Sequence, residues 1–306
     1  MKALLLQPPI NDFFTTEGRL YPLGLLYVAA VLEKMGVHVE LLDCLTPLKK
    51  KQIKLPAEFD YLRPLIENNA FLFKGFYHFG MDTEFILQNI ILSDPDFIGI
   101  TANFTAYYST TEQLIHAIRT VTDIPIILGG HHATFLGEKF EKYLPQKIYL
   151  CRGEAETSLG PLLQEIFAIK SVTTDWADLI PAHHLTAAGA YRHQGRSMVS
   201  ITASRGCPFN CAYCSVPGIY GHQLRLREVH QIIAEMEWNV MTKQVQLFNF
   251  EDDNIAVHAQ WFEQLLNKIL ASPVLGSIRM TALNGLYFKN LTHSICTKMH
   301  RAGFDQ

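Results

Sequence analysis

Short apolar runs alternate with helix-like segments along both halves of this 306-residue sequence. In the first half the apolar runs lie at residues 3–7, 37–43, 97–101, 124–128 and 147–151. Such runs are typical of strands buried on both faces, and their alternation with helices is typical of a parallel sheet. Residues 1–170 are therefore expected to form a doubly wound, Rossmann-like α/β domain.

A second alternating series follows a segment without periodicity. Residues 171–197 contain Thr, Pro, His and Gly in no regular pattern, so they are interpreted as a linker. Three further strands are predicted, at residues 198–203, 245–250 and 277–282, and each is followed by a helix-like segment. Residues 198–306 are therefore expected to form a second α/β unit.

Charge and hydropathy exclude some classes of partner. Lys+Arg 26 against Asp+Glu 29 leaves a net charge of −3, whereas a nucleic-acid interface needs a concentrated basic face. The apolar runs fall short of the roughly 20 residues that cross a bilayer, and no signal-peptide cleavage site follows the first strand. We expect a cytoplasmic protein with no nucleic-acid partner and no integral membrane segment.

Three of the six cysteines are clustered, because Cys207, Cys211 and Cys214 have the spacing C-x3-C-x2-C. One short loop can place three thiolates around an iron–sulfur cluster, and a four-iron cluster held by three thiolates leaves one iron open to a small molecule. A zinc site that adds His222 to these thiolates is the alternative. The remaining cysteines are expected to be ordinary buried thiols: Cys44, Cys151 and Cys296.

The cysteine loop carries a family resemblance. Residues 204–214 (SRGCPFNCAYC) resemble the signature loop of the radical S-adenosylmethionine superfamily, and the aromatic Tyr213 before the last cysteine matches its pattern. The resemblance implies a [4Fe–4S] cluster whose open iron chelates the amine and carboxylate of S-adenosylmethionine. The reduced cluster would then cleave this cofactor to methionine and a 5′-deoxyadenosyl radical.

Two acidic residues follow the second predicted strand of this half. The resemblance places Glu251 and Asp252, within the segment FEDDN, where the family holds the amino group of S-adenosylmethionine. On the residues alone, an acidic loop that caps the following helix is an equal alternative. Both residues are therefore candidate cofactor contacts.

The same resemblance implies that residues 198–306 form the N-terminal half of a radical S-adenosylmethionine (βα) partial barrel. The sequence supplies three barrel strands and, at Gly303-Phe304, the entry to a fourth. We therefore expect the barrel to be incomplete, and we expect the chain to be a fragment of a longer reading frame with little turnover alone.

The first half resembles the cobalamin-binding domain that precedes the radical domain in one branch of the superfamily. The matching segments, in order, are QPP (7–9), YPLG (21–24), Asp96 with GIT (99–101), GGHHAT (129–134) and RGEAE (152–156). The implied cobalamin contacts are Pro9, Tyr21, Thr101, Asn103, Gly129, Gly130, His131, Gly153 and Glu154. Most of these follow predicted strands, where open α/β sheets bind ligands, and the paired glycines would let the backbone approach a flat macrocycle.

No Asp-x-His-x-x-Gly motif is present, so the resemblance implies cobalamin held without a lower axial histidine. The function it implies is that of a cobalamin-dependent radical S-adenosylmethionine enzyme acting on a small molecule, by methyl transfer or related C–H functionalisation. An external flavodoxin- or ferredoxin-like electron donor is the expected partner. Two alternatives stay open: a cobalamin- or zinc-binding module without radical chemistry, and a binding protein that has lost its catalytic role.

Overall fold

The computed structural model describes residues 1–68, 72–143 and 147–305. Contacts within the chain divide it into two compact units. Unit 1 comprises Met1–Thr16 and Leu32–Val172, and unit 2 comprises Glu17–Val31 and Thr173–Gln306. Helix α1 (Leu23–Lys34) therefore begins in unit 2 and ends in unit 1. No helix among the described residues is long and apolar enough to cross a membrane.

Among its described residues, unit 1 contains eight strands and five α-helices besides the end of α1. The strands are β1 (Lys2–Gln7), β2 (Ile10–Asp12), β3 (His38–Asp43), β4 (Lys50–Ile53), β5 (Phe76–Phe79), β6 (Phe97–Thr101), β7 (Ile126–Gly129) and β8 (Ile148–Cys151). The helices are α2 (Arg63–Glu67), α3 (Thr83–Ser93), α4 (Tyr108–Ile118), α5 (His131–Tyr143) and α6 (Ala155–Phe167).

The main sheet of unit 1 has the order β3-β1-β6-β7-β8, and every neighbouring pair is parallel. This is a doubly wound order: from β1 the chain first adds β3 on one side and then adds β6, β7 and β8 on the other. The topological switch point therefore lies between β1 and β6. Strand β1 lies inside this sheet, and its residues Leu4, Leu5 and Leu6 are all 3% exposed or less. Because successive residues point to opposite faces, both faces of the strand are covered. The Rossmann-like fold class expected for this half is confirmed.

Two parts of unit 1 differ from the sequence-based expectation. Residues 45–80 look irregular in the sequence, yet β4 and β5 pair in an antiparallel three-stranded sheet with β2. Helix α5 has no counterpart in the sequence pattern, because Gly137 interrupts it and its mean character is polar. Gly137 packs closely on β8: a Cβ there would lie 2.5 Å from the Leu150 side chain, which would have to shift to make room.

In the part of unit 2 that the structure describes there are six strands and four α-helices besides the start of α1. The strands are β9 (Arg192–His193), β10 (Arg196–Ile201), β11 (Ser204–Arg205), β12 (Arg225–Leu226), β13 (Leu247–Phe250) and β14 (Arg279–Thr281). The helices are α7 (Val216–Tyr220), α8 (Val229–Lys243), α9 (Ala259–Ala271) and α10 (His293–Arg301).

The sheet of unit 2 has the order β14-β13-β10-β9, with β10, β13 and β14 parallel and β9 antiparallel. Helices α8 and α9 connect the parallel strands, so the sheet is built from repeated strand–helix units. Phe304 forms a parallel bridge with Met280 beside β14, at the place where the sequence predicts the entry to a fourth strand. This arrangement agrees with the expected partial (βα) barrel.

A buried polar chain supports this sheet from within unit 2. The Tyr21 hydroxyl lies 2.6 Å from His183 Nδ1, and His183 Nε2 lies 2.8 Å from a Glu235 oxygen. The second Glu235 oxygen pairs with Arg227 at 2.7 Å. Arg227 in turn donates to the carbonyl oxygen of Thr202 at 3.0 Å, just beyond the end of β10. The four side chains of this hydrogen-bonded series are each 7% exposed or less.

Candidate functional site

The cysteine loop is closed at its base by a short hairpin. Strand β11 pairs antiparallel with β12, so the residues between them form one loop that begins at Gly206. Gly206 has a φ of +83°, and a Cβ there would lie 2.3 Å from the main-chain oxygen of Gln223. Only glycine fits this turn, because both the backbone conformation and the close approach exclude a side chain.

All three cysteines of the loop are free thiols, with Cys207 partly buried and Cys211 and Cys214 exposed. The Cys214 amide donates to the Cys211 carbonyl at 3.0 Å, so the last two cysteines share a turn. Burial raises the pKa of Cys207, and the nearby Asp253, Cys214 and Cys211 act in the same direction. Three soft donors on one exposed loop suit a cluster that takes each thiolate on a separate iron.

Binding of a single metal ion would need a tighter arrangement. Among the described parts of the chain, no three His, Cys, Asp or Glu side chains converge closely enough to hold one ion. The expectation for the remaining cysteines is correct for Cys44 and Cys151, which are buried, and wrong for Cys296, which is exposed. Cys296 lies on α10, a helix whose polar positions outnumber its apolar ones, so the chain leaves this thiol uncovered.

Asp252 fastens the start of the cysteine loop. Its carboxylate accepts the Ala203 amide at 3.1 Å through one oxygen and the Ser204 hydroxyl through the other. Burial raises the pKa of Asp252 to about 7, although the hydrogen bonds from Ser204 and Ala203 act in the opposite direction. Both oxygens are thus engaged by the segment that leads into the loop.

Glu251 lies on a layer of polar side chains at the carboxyl ends of the parallel strands. Its Oε1 accepts from the Asn249 amide and from Ser200 Oγ at 3.5 Å, and its Oε2 accepts from Asn284 Nδ2 at 3.4 Å. Thr281 on β14 donates to Asn249 Oδ1 at 3.0 Å, so one residue from each strand contributes. Burial raises the pKa of Glu251, while hydrogen bonds and the Arg19 charge oppose the shift. A partly buried carboxylate here is suited to receive a cationic amine.

Sequence reasoning identified Glu251 but missed the residues that hold it. Ser200 and Asn249 are 0% exposed and each has apolar residues on both sides in its strand, and a buried polar residue in such a run is a signal that could have found them. Asn284 and Arg19 gave no such signal. Tyr213, predicted from the family pattern, is 91% exposed. Its neighbour Phe209 anchors the loop instead, with its ring 4.7 Å from the ring of Tyr287.

In unit 1 the structure brings together the ends of β6, β7 and β8. The Ala102 amide donates to the Gly129 carbonyl at 2.7 Å, and Gly130, with a φ of +101°, lies against Asn103 and Ala102. A Cβ on Gly130 would lie 2.9 Å from the Ala102 oxygen. Thr134, which the sequence did not single out, accepts the Gly153 amide at 3.0 Å and so ties α5 to the loop after β8.

The donor set of this edge suits a large flat ligand. Gly153 has a φ of +70°, and a Cβ there would meet nothing within 4 Å, so open space lies before it. Gly129, Thr101 and Glu154 lie on the same edge, at the ends of their strands. His131 opens helix α5, and burial lowers its pKa, which favours the neutral imidazole. Glycine backbone at this edge would let a flat macrocycle approach closely.

Two predicted cobalamin contacts have other neighbours in the structure. Pro9 is buried, and its Cβ would lie 3.0 Å from a Cβ placed on Gly80. Tyr21 groups with unit 2, where it is buried and its hydroxyl contacts His183. Their predicted roles stay predictions.

Comparison with known proteins finds similarity in both halves of the chain. Residues 74–163 match the B12-binding domain family. The chain is 27% identical over 151 residues to bacteriochlorophyllide d C-12(1)-methyltransferase of Chlorobaculum tepidum. The aligned region covers 46% of this chain and 32% of that protein. It is 24% identical over 311 residues to anaerobic magnesium-protoporphyrin IX monomethyl ester cyclase of Synechocystis, covering 91% of this chain and 56% of the relative. The chain thus spans about a third to just over half of the length of these relatives.

The fold resembles that of a solved radical S-adenosylmethionine methyltransferase. The structure of TsrM from Kitasatospora setae, with cobalamin and a [4Fe–4S] cluster bound, matches 99% of this chain and 59% of that chain. The TM-score is 0.67 at 17% identity. A second TsrM structure, with tryptophan and an S-adenosylmethionine analogue, matches with a TM-score of 0.66. The resemblance and the α/β fold class predicted from the sequence are therefore confirmed.

Proposed function

We propose that this protein is a cobalamin-using radical S-adenosylmethionine enzyme that performs methyl transfer or a related functionalisation of an unactivated C–H bond. One observation carries the proposal: a hairpin-closed loop with three free thiols is fastened by Asp252 to the strand end that also presents Glu251. A cluster with an open iron and an amine-binding carboxylate are the two elements that a bound S-adenosylmethionine needs.

The residues of the chain have separate roles in this proposal. Cys207, Cys211 and Cys214 would hold the cluster, and Asp252 would keep the start of their loop in place. Glu251 would receive the methionyl amine. When bound and reduced, the cluster supplies the electron that cleaves S-adenosylmethionine to methionine and a 5′-deoxyadenosyl radical. The protein's part is to orient the cofactor and to keep water from the reacting atoms.

Cobalamin would lie at the glycine-lined edge of unit 1. Thr101 and Asn103 at the end of β6 and the main chain at Gly129, Gly130 and Gly153 are the proposed contacts. The relatives named methyltransferases favour methyl transfer, and the magnesium-protoporphyrin cyclase, which matches over 91% of this chain, favours a ring-forming oxidation as the second candidate. A small organic molecule is the proposed substrate class for either reaction.

The proposed cluster also leads to proposals for an electron donor and for a cellular location. Its electron must come from outside the chain, so we propose an external flavodoxin- or ferredoxin-like donor. Exposed thiolates and a reducible cluster need reducing surroundings, which supports a cytoplasmic location.

Metal content after anaerobic reconstitution tests the proposal. The chain is expected to retain about four irons with matching sulfide, whereas a zinc-binding module would retain one zinc and no iron. Cys211→Ser should abolish the cluster absorbance, and Cys296→Ser, an exposed cysteine outside the loop, should leave it unchanged. With dithionite and S-adenosylmethionine the reconstituted protein should release 5′-deoxyadenosine. Zinc retention, or equal loss of iron in both variants, would contradict the proposal.

A further inference from the structure

A segment far from the cysteine loop in the sequence lies against the Glu251 site in unit 2. Residues Glu17–Arg19 form one turn of 3-10 helix. Gly18 is buried there, and a Cβ on it would lie 2.9 Å from His193 Nδ1 and 3.1 Å from the Leu283 side chain. The turn therefore packs closely on the side chains of His193 in β9 and of Leu283 in the loop after β14, and a larger residue at position 18 would have to displace them.

Arg19 extends from this turn to the loop that follows β14. One guanidinium nitrogen donates to Asn284 Oδ1 at 3.0 Å, and another donates to the Leu283 carbonyl at 3.0 Å. These two bonds join residues 264 and 265 positions apart in the sequence. A forked guanidinium fixes the direction of both acceptors, which a single ammonium group cannot do.

The Arg19 contact determines which way the Asn284 amide faces. Arginine has donors only, so the Asn284 atom that faces it must be the oxygen. The Asn284 nitrogen is thereby directed to the other side, where it donates to Glu251 Oε2 at 3.4 Å and to the Asp252 carbonyl at 3.3 Å. Arg19, Asn284 and Glu251 thus form one hydrogen-bonded series that ends on the carboxylate.

We propose that Arg19 is a positioning residue of the S-adenosylmethionine site, which acts through Asn284 to orient the Glu251 carboxylate for the methionyl amine. This inference rests on the proposed function. The site would then be completed by a residue from the N-terminal segment of unit 2, outside the strand–helix units that carry the cysteines.

The charge of Arg19 affects the pKa of Glu251 in a direction that can be measured. Of the described side chains around Glu251, Ser200, Asn249 and Asn284 are neutral and Arg19 carries a charge, while the Asp252 carboxylate is turned toward Ala203 and Ser204. Burial raises the pKa of Glu251 and the Arg19 charge lowers it. Without Arg19 the pKa of Glu251 rises further, so at a given pH a larger fraction of the carboxyl is protonated, and a protonated carboxyl cannot pair with a cationic amine.

Binding of S-adenosylhomocysteine to the reconstituted chain tests the inference, because this ligand has the same amino-acid portion and is not cleaved. Calorimetry between about pH 6 and 9 compares wild type with Arg19→Gln, Arg19→Lys and the exposed control Arg301→Gln. Arg19→Gln should weaken binding roughly three- to tenfold at the acid end, with a smaller loss at the alkaline end. Arg19→Lys should keep most of the pH profile, and Arg301→Gln should match wild type.

Two further measurements separate this role from a general structural one. Binding of 5′-methylthioadenosine, which lacks the amine, should not change in Arg19→Gln. In the ligand-free protein the pKa of Glu251, followed by 13C NMR of labelled glutamate with Glu251→Gln for assignment, should rise in Arg19→Gln. An unchanged Glu251 pKa together with wild-type affinity at every pH overturns the inference. Wild-type protein that holds no iron and binds no S-adenosylhomocysteine overturns the proposed function instead, and the NMR comparison still decides whether Arg19 acts on Glu251.

Discussion

Replacement of Glu235 by glutamine should destabilise unit 2 strongly. Glu235 lies between Arg227 and His183, and all three side chains are 2% exposed or less. Glu235→Gln keeps the shape of the side chain but leaves the Arg227 guanidinium buried without its counter-charge. Removal of one partner from a buried ion pair costs about 3–5 kcal/mol, so the free energy of unfolding should fall by that amount.

Tryptophan fluorescence makes this loss visible for unit 2 separately. All three tryptophans lie in this unit, at positions 176, 238 and 261. With a slope of about 2 kcal/mol per molar urea, the midpoint of the fluorescence transition should fall by about 1.5–2.5 M. The double variant Arg227→Met/Glu235→Leu removes both charges, and apolar replacements of a buried pair are often close to neutral. It should therefore unfold at a higher urea concentration than Glu235→Gln.

The pH dependence has a defined sign. Burial alone would raise the pKa of Glu235, but the Arg227 charge and the His183 hydrogen bond outweigh burial and hold it below its usual value. A lowered pKa adds stability above the unfolded-state value and loses it as the pH falls through the folded-state value. The gap between wild type and Glu235→Gln should thus persist at neutral pH and narrow in strong acid. A single variant within about 1 kcal/mol of wild type, or a double variant no more stable than the single one, would refute this reasoning.

Three further predictions concern the two sites. Gly206→Ala should lower the iron content after reconstitution, because a Cβ there would lie 2.3 Å from a main-chain oxygen, whereas Gly276→Ala, with nothing within 4 Å, should bind iron as wild type does. Asp252 has its pKa raised to about 7, so its contribution to stability should fall as the pH rises from about 4 toward 7. Urea titrations at several pH values should show this slope in wild type and not in Asp252→Asn. Gly130→Ala should weaken cobalamin uptake, measured by visible absorbance, with unchanged iron content, because its Cβ would lie 2.9 Å from the Ala102 oxygen. Equal iron content in Gly206→Ala and Gly276→Ala would contradict the first prediction. Equal pH slopes in wild type and Asp252→Asn would contradict the second, and unchanged cobalamin uptake in Gly130→Ala would contradict the third.

The sheet of unit 1 was predictable because its strands are buried on both faces. The strand predicted at residues 97–101 has those same bounds as β6, and its first four residues are fully buried. The antiparallel sheet of β2, β4 and β5 was not predictable, since β2 pairs with residues more than 60 positions later and neither strand is uniformly apolar. Helix α5 was missed for a related reason, because the fit of Gly137 against Leu150 is visible only in three dimensions.

Some residues of the candidate site could also be predicted from the sequence, and others could not. Cysteine spacing is a local property, so the loop with its three cysteines could be identified from the sequence, and its role as the cluster site stays a prediction. The carboxylates after β13 could be named but not told apart, because the difference lies in their partners: Asp252 faces Ala203 and Ser204, whereas Glu251 faces Asn284. No local pattern links Arg19 to Asn284 across 265 positions.

The membership of residues 17–31 in unit 2 has a consequence for how the protein is made. Glu17–Val31 leaves the ribosome before any other part of its unit, and its partners His183 and Asn284 are synthesised more than 150 positions later. Unit 1 can begin to fold while this segment waits, because its sheet needs only residues up to 151. Such long-range closure slows folding. The two units also cannot be exchanged between proteins by a single cut, since any chain that starts after residue 31 loses both Tyr21 and Arg19.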